Sequence, residues 1–254
     1  MSSFKLNMLG IGSAFNAVEY GNTSGYFEDD DNLYIIDCGS TVFNQILKTI
    51  KNKLNKNIHV IITHTHTDHI GSLGTFIEYC YFTLNKKLNI VCASKIKNSL
   101  ISLLEYSGIT NEMYNVTYSH NTNTVNINSD IKVFFIQTTH VDTLSSFSLI
   151  IRNQKTNQQL VYSGDINNYD ELSLLLQIAS SKYKSMDAIY LDMSSKENNP
   201  VHEYDFNKLK NIQSLFKSTD IYLMHLDDTI DVYQNLLKKY HIEYINICNI
   251  NNNN

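Results

Sequence analysis

The segment His64-Thr65-His66-Thr67-Asp68-His69 places four metal-ligand side chains within six positions, directly after an apolar strand pattern. Imidazole and carboxylate groups together suit zinc and similar divalent ions, and a catalytic site combines such ligands with an open position for water. Because alternate residues at a strand end project the same way, we expect His64 and His66 to share one ion. Asp68 and His69 would turn toward a second ion. The alternative for Asp68 is a plain helix N-cap.

Three further ligand-type residues also stand just after predicted strands. They are His140 after VFFIQTT, Asp165 in VYSGD and His225 in IYLMH. Each one alone could be an ordinary polar residue. Loops that follow strands can converge on one site, so the shared strand-end placement favours a common role.

HTHTDH behind an apolar strand resembles the HxHxDH signature of the metallo-β-lactamase fold, and the resemblance extends along nearly the whole chain. It implies an α/β αββα sandwich, with two facing mixed sheets and helices outside. It also implies two divalent ions, zinc first, with manganese or magnesium as alternatives. The implied ligands are His64, His66 and His140 for one ion, Asp68, His69 and His225 for the other, and Asp165 as the bridge. Two such ions lower the pKa of a bridging water, and Asp68 would also orient that nucleophile.

Alternating apolar runs and amphipathic stretches predict a mixed α/β chain. Predicted strands are Lys5 to Leu9, Leu33 to Asp37, His59 to Thr63, Ile90 to Cys92, Lys132 to Gln137, Phe147 to Arg152, Leu160 to Ser163, Ala188 to Asp192, Ile221 to Met224 and Glu243 to Ile245. Predicted helices are Thr41 to Lys51, Gly71 to Thr83, Lys95 to Tyr106, Tyr169 to Ser180, Tyr204 to Phe216 and Asp231 to Lys239. Strands such as VIIT need cover on both faces, which favours two sheets with helices outside. We expect residues 1–250 to form a single domain and the asparagine tail, residues 251–254, to fray.

Composition sets limits on partners and location. The 254 residues carry a net charge of −5, which argues against a broad electrostatic grip on long nucleic acid. Four scattered cysteines lack metal or disulfide spacing and are expected to be reduced and buried. The N-terminus lacks a signal-peptide core, and no apolar run reaches membrane-spanning length. We therefore expect a cytoplasmic protein without a membrane partner.

Two further segments resemble the ribonuclease Z branch of this fold. LGIGSAF followed by GNTSGYF resembles its opening, where Asn22, Thr23 and Ser24 would offer donors to a phosphate; the alternative is a plain loop before a strand at Gly25 to Phe27. YLDMS and PVHEYDF resemble the place where phosphodiesterases of this branch pair an acidic residue with a histidine, here Asp192 and His202. That pair would make His202 a general acid, since a carboxylate raises an imidazole pKa. Many relatives carry Glu rather than Asp, and the alternative is that Asp192 ends a strand while His202 caps a helix.

The 24 residues between His140 and Asp165 are filled by two predicted strands. Long ribonuclease Z relatives insert a basic arm there to hold tRNA, and this chain has no room for it. Compact members without the arm resemble the anti-Pycsar proteins of phages and bacteria, which hydrolyse cyclic mononucleotides and silence a defence signal. The resemblance implies a phosphodiesterase for cyclic CMP and cyclic UMP, with a range that extends to cyclic AMP and cyclic GMP. It also implies a homodimer, working in the host cytoplasm if phage-encoded.

Several alternatives stay open. Tyr20, Tyr26 and Phe43 are candidates for stacking on a base, although aromatic side chains more often lie in the core. RNA 3′-end processing would need basic recognition from clusters such as residues 51–56 or 86–87. A noncatalytic nucleotide- or metal-binding sensor would show degraded ligands, and none is degraded. A lactone, β-lactam or thioester hydrolase is disfavoured by the Asp192 and His202 pair.

Overall fold

The computed structural model describes residues 3–120, 123–182 and 186–250. Its strands are β1 (Asn7–Gly10), β2 (Ser24–Glu28), β3 (Asn32–Ile36), β4 (Asn57–Ile62), β5 (Leu88–Cys92), β6 (Tyr114–Tyr118), β7 (Thr124–Asn126), β8 (Ile131–Thr138), β9 (Ser146–Asn153), β10 (Gln158–Tyr162), β11 (Ala188–Asp192), β12 (Asp220–Met224) and β13 (Ile245–Ile247). Its α-helices are α1 (Ala17–Tyr20), α2 (Val42–Thr49), α3 (Thr67–Ile70), α4 (Leu73–Glu78), α5 (Ser94–Tyr106), α6 (Tyr169–Lys182), α7 (Phe206–Leu215) and α8 (Ile230–Lys239). The alternation confirms the predicted α/β class.

The strands form two mixed sheets. One has six strands in the order β1-β2-β3-β4-β5-β6, and the other has seven in the order β13-β12-β11-β10-β9-β8-β7. In the first, β1, β2 and β3 pair antiparallel and the rest pair parallel. In the second, β8, β9 and β10 pair antiparallel, and β10 to β13 pair parallel. Each sheet therefore has a parallel half whose strands all end at one edge.

The apolar character of these strands explains their burial. All five residues of β11 are buried, as are the last four of β3 and the last three of β4. Parallel strands covered on both faces read as continuous Val, Ile and Leu runs, which is the pattern seen here. The polar residues that follow them are consequently held at the end of a rigid element.

Two predicted helices differ from the observed ones. The predicted helix from Gly71 to Thr83 is α4 followed by a π-helical segment, Tyr79–Thr83, and a separate turn, α3, precedes it. The predicted helix from Tyr204 begins at Phe206 because the Asp205 side chain accepts from the backbone of Asn207 and Lys208. Asp205 rather than His202 is therefore the cap. α1, β6 and β7 were not predicted.

Two compact units are distinguished, an N-terminal unit built on Leu6–Ile127 and a C-terminal unit built on Asn128–Cys248. That they act as a single domain stays a prediction, and the asparagine tail lies outside the described residues. All four cysteines are buried and free, and burial raises the pKa of the Cys38, Cys80 and Cys92 thiols to about 12. Among the described residues no helix combines the length and apolarity needed to cross a bilayer.

Candidate active site

In the N-terminal unit the four clustered ligand residues follow β4, and the last two, Asp68 and His69, lie in α3. His64 is fully buried, and its Nε2 lies 3.1 Å from His66 Nδ1. His69 Nε2 lies 3.4 Å from Asp68 Oδ2. The N-cap position of α3 belongs to His66, so Asp68 is not the cap. The loop thereby brings together a ligand atom of His64 with one of His66, and a ligand atom of Asp68 with one of His69.

The fully buried carboxylate of Asp37 accepts hydrogen bonds from both ends of the segment from Thr63 to His69. Its Oδ2 accepts from His69 Nδ1 at 2.8 Å and from Thr63 Oγ1 at 2.8 Å, and its Oδ1 accepts from Thr63 N at 2.8 Å. Thr63 Oγ1 lies 3.1 Å from His64 Nδ1 and accepts from it. Asp37 thus fixes one imidazole directly and a second through Thr63. Burial raises the pKa of Asp37 above its usual range, against the lowering effect of His69 and Thr63.

Backbone contacts dock the ligand loop onto the segment after β3. Cys38 N donates to His69 O at 2.6 Å, and Ser72 N donates to Cys38 O at 3.1 Å. A Cβ at Gly39 would stand 1.8 Å from Asp68 O. No side chain fits in that space, so glycine is required for the approach.

In the C-terminal unit three of the predicted ligands meet around one carboxylate. His140 Nε2 lies 3.5 Å from Asp165 Oδ2, while His225 Nε2 lies 3.5 Å from Asp165 Oδ1. All three side chains are buried. The two oxygens of Asp165 therefore face different histidines, and a bridging role for Asp165 stays a prediction.

The predicted Asp192 and His202 pair is formed. His202 Nδ1 donates to Asp192 Oδ2 at 2.7 Å, the same oxygen accepts from Ile166 N at 3.0 Å, and Asp192 Oδ1 lies 3.4 Å from His225 Nδ1. Burial alone would raise the pKa of Asp192, but the two imidazoles hold it below its usual range. Burial alone would lower the pKa of His202, but the Asp192 carboxylate raises it above its ordinary value. Asp192 ends β11, so the strand-end alternative and the pairing are both satisfied.

The chemistry of the donors fits divalent ions. Zinc–nitrogen bonds of about 2.0–2.1 Å place neighbouring ligands of a tetrahedral site roughly 3.3 Å apart. The four ligand pairs lie at 3.1, 3.4, 3.5 and 3.5 Å. The second ring nitrogen of several ligand histidines also faces a protein acceptor. His140 Nδ1 donates to Val201 O at 2.8 Å, and His69 and His225 face carboxylates. Such outer contacts fix the tautomer of a metal-binding imidazole.

The predicted phosphate-contacting segment is buried and bonds to the protein itself. Asn22 Oδ1 accepts from Thr41 N at 3.0 Å, and Thr23 Oγ1 donates to Gly12 O at 3.0 Å. Ser24 Oγ donates to Asp37 O at 3.1 Å. These contacts support the loop around Asp37, and a role for the three residues as donors to substrate stays a prediction.

Sequence reasoning missed Asp37 and Thr63. The prediction of a strand from Leu33 to Asp37 contained the signal, since a carboxylate ends an otherwise apolar run. Asp37 adopts a φ of 60°, and His225 after β12 adopts a φ of 59°. Left-handed backbone at non-glycine residues is strained and concentrates at functional sites.

Comparison with known proteins gives a consistent picture. Residues 4–246 match the family described as Anti-Pycsar protein Apyc1. An Anti-Pycsar protein Apyc1 from Paenibacillus harenae is 28% identical over 237 residues, covering 90% of this chain and 92% of the relative. A ribonuclease Z from Porphyromonas gingivalis is 36% identical over 78 residues, 31% of this chain and 25% of the relative. The structure of the metallo-β-lactamase fold protein YhfI from Bacillus subtilis aligns with a TM-score of 0.75 at 16% identity, covering 96% and 95% of the two chains, which confirms the predicted fold.

Proposed function

The chain belongs to the Anti-Pycsar protein Apyc1 family, and from this membership we propose that it hydrolyses small cyclic nucleotides and so removes an immune signal. Cyclic CMP and cyclic UMP are the leading substrates, with a range that extends to cyclic AMP and cyclic GMP. The reaction class, metal-dependent phosphodiester hydrolysis, follows from the family and the fold. The hydrogen-bonded Asp192 and His202 pair beside the Asp165 ligand set carries the proposal.

The proposed reaction would need two divalent ions. By the family signature, His64, His66 and His140 would hold one ion, Asp68, His69 and His225 would hold the other, and Asp165 would be shared. Two such ions activate water near neutral pH and offset phosphate charge. We propose zinc, because imidazole-rich donors with carboxylates suit it; manganese and magnesium are the alternatives.

His202 is the proposed proton donor to the departing ribose oxygen. Asp192 holds His202 Nδ1, which leaves Nε2 to carry the transferable proton. As the water oxygen bonds to phosphorus, the P–O ester bond breaks and the Nε2 proton passes to the departing ribose oxygen. Asp192 stabilises the protonated imidazole before the transfer, and Asp68 would help to orient the water.

The proposal of a small substrate also rests on the segment between His140 and Asp165, which carries no inserted arm for binding tRNA. β9 and β10 occupy the interval between His140 and Asp165 as an antiparallel pair, with Asn153 opposite Gln158. Three of the five lysines considered for RNA binding are engaged within the protein: Lys53 and Lys56 pair with Glu28, and Lys86 Nζ donates to three backbone carbonyls. These contacts favour a mononucleotide over tRNA.

We also propose a homodimer in the cytoplasm, on the basis of the family resemblance. Sedimentation equilibrium at several concentrations tests the dimer, and a monomer at all of them would contradict it.

The test of the function is turnover of a defined panel. Purified protein reconstituted with zinc, manganese or magnesium is incubated with cyclic CMP, UMP, AMP and GMP, and products are separated by chromatography. We expect linear monophosphates from wild type and none from His66→Ala. Wild-type protein that leaves every cyclic nucleotide intact with all three metals would contradict the proposal, and tRNA processing by the same samples would favour the ribonuclease alternative.

A further inference from the structure

A cavity of about 430 Å³ adjoins His202 within the C-terminal unit. Its walls come from the segment before α6, the segment after β11, the start of α7 and the residue that follows α8. Its lining includes Glu197, His202, Tyr204, Phe206 and Tyr240. A volume of this size falls within the range of small-ligand sites. The metal ligands do not contribute to this lining.

The lining is suited to a planar, uncharged group with hydrogen-bonding edges. It combines aromatic rings with side-chain amides and carboxylates, and in the described chain it includes no lysine or arginine. Three of the lining residues carry carboxylates, which disfavour a phosphate there. Tyr204, Phe206 and Tyr240 form the aromatic wall, in which Tyr240 stacks on Phe206 with ring centroids 5.0 Å apart. A nucleobase has the matching flat shape and polar rim.

The position of the cavity follows from the chemistry of the leaving oxygen. In a cyclic mononucleotide both ester oxygens belong to one ribose, so whichever bond breaks, the departing oxygen stays attached to the nucleoside. The group that protonates this oxygen must therefore border the nucleoside. His202 is that group under the proposed function, and it also forms one wall of the cavity.

We propose that this cavity holds the nucleobase of the substrate, with Glu197 accepting a hydrogen bond from an exocyclic amino group. The inference rests on the proposed function. Tyr204 OH donates to Glu197 Oε1 at 3.1 Å, which fixes the carboxylate at the cavity wall. A carboxylate only accepts, so it suits the N4 amino group of cytosine and repels the O4 carbonyl of uracil. Cyclic CMP is therefore favoured over cyclic UMP.

Binding of the linear products tests this without depending on turnover. Calorimetry of the full chain with CMP and with UMP gives a dissociation-constant ratio for wild type, Glu197→Gln and the exposed control Glu243→Gln. Glutamine can donate to uracil as well as accept from cytosine, so Glu197→Gln is expected to reduce the preference for CMP about tenfold. Glu243→Gln should keep the wild-type ratio.

A second variant guards against a folding defect. Tyr204→Phe removes the hydroxyl that holds Glu197 and should reduce the CMP preference by a smaller factor, with Tyr244→Phe as its exposed control. Equal CMP-to-UMP ratios in wild type, Glu197→Gln and Tyr204→Phe would overturn the cavity assignment. Cyclic-nucleotide turnover, measured separately on the wild-type protein, tests the proposed function. A wild-type protein without turnover that still prefers CMP over UMP would contradict the proposed function but support the cavity assignment.

Discussion

The N-terminal and C-terminal ligand sets are each organised by one buried aspartate that serves two imidazoles. Asp37 reaches His69 directly and His64 through Thr63, and Asp192 reaches His202 at 2.7 Å and His225 at 3.4 Å. Both carboxylates are fully buried. They differ in what they orient. Asp37 serves only proposed metal ligands, whereas Asp192 serves one ligand and one proposed proton donor.

The pKa values of these two carboxylates are shifted in opposite directions. Burial dominates at Asp37 and raises its pKa, while at Asp192 the two imidazoles outweigh burial and lower the pKa. Two equally buried aspartates thus have pKa values shifted in opposite directions, because their hydrogen-bond partners differ. The proposed proton transfer belongs to the second set, because Asp192 is the carboxylate that pairs with His202.

Removing one ligand from each set has the largest expected effect. His66→Ala and His225→Ala should each lower kcat/KM by at least about 10³-fold, because the ions contribute several kcal/mol of transition-state stabilisation. Metal content by mass spectrometry should fall in both variants. If one set tolerates the loss with wild-type rates and metal content, that set is not part of the metal site.

The proton donor gives the next largest effect. His202→Ala should lower kcat roughly 100-fold with metal content unchanged, since general acids contribute about 10²–10⁴-fold. The pH profile should change as well. Because Asp192 raises the His202 pKa above about 6.5, the protonated donor persists to higher pH, and wild-type activity should fall only as pH rises through that raised pKa. His202→Ala should lack this basic limb, and an unchanged limb would mean that another group titrates.

The two sets also differ in how far the sequence foretold them. The N-terminal ligands lie within six consecutive positions, so their types and spacing were enough. The C-terminal residues come from the ends of four separate strands. Strand-end placement favoured a common role for His140, Asp165 and His225, but only the resemblance assigned them to one metal site. Their meeting is set by strand order and register, which a single sequence does not contain.

Other features escaped prediction for local reasons. Asp37 was assigned to a strand because its neighbours are apolar, yet its role depends on contacts 26 and 32 residues away. The short β6 and β7 lie among asparagines and threonines that give little periodic signal. The helix after the metal loop was predicted as one piece, but α3 closes after a single turn and a π-helical segment follows α4.

Removing the negative charge of each central aspartate tests whether Asp37 and Asp192 have different roles. Asp37→Asn and Asp192→Asn should each reduce activity roughly 10- to 100-fold, the usual effect of losing a group that orients a metal ligand. Only Asp192→Asn should move the basic limb of the pH profile to lower pH, because only His202 loses its carboxylate. Metal affinity, measured by chelator competition, should drop more in Asp37→Asn. Identical pH profiles for the two variants would remove the distinction drawn here.

The smallest effect is expected at Thr63, where the N-terminal set relies on a side chain for an outer contact. His140 in the other set donates to the backbone at Val201, which no substitution removes. Thr63→Val keeps the shape but deprives Asp37 of a donor and His64 of an acceptor, so we expect about 1–3 kcal/mol of lost stability and roughly tenfold weaker metal binding. Thr138→Val is the matched control, because its hydroxyl donates only to a backbone carbonyl, Asp165 O, at 3.5 Å. Equal losses of metal affinity in the two variants would show that the relay from His64 to Asp37 has no special role.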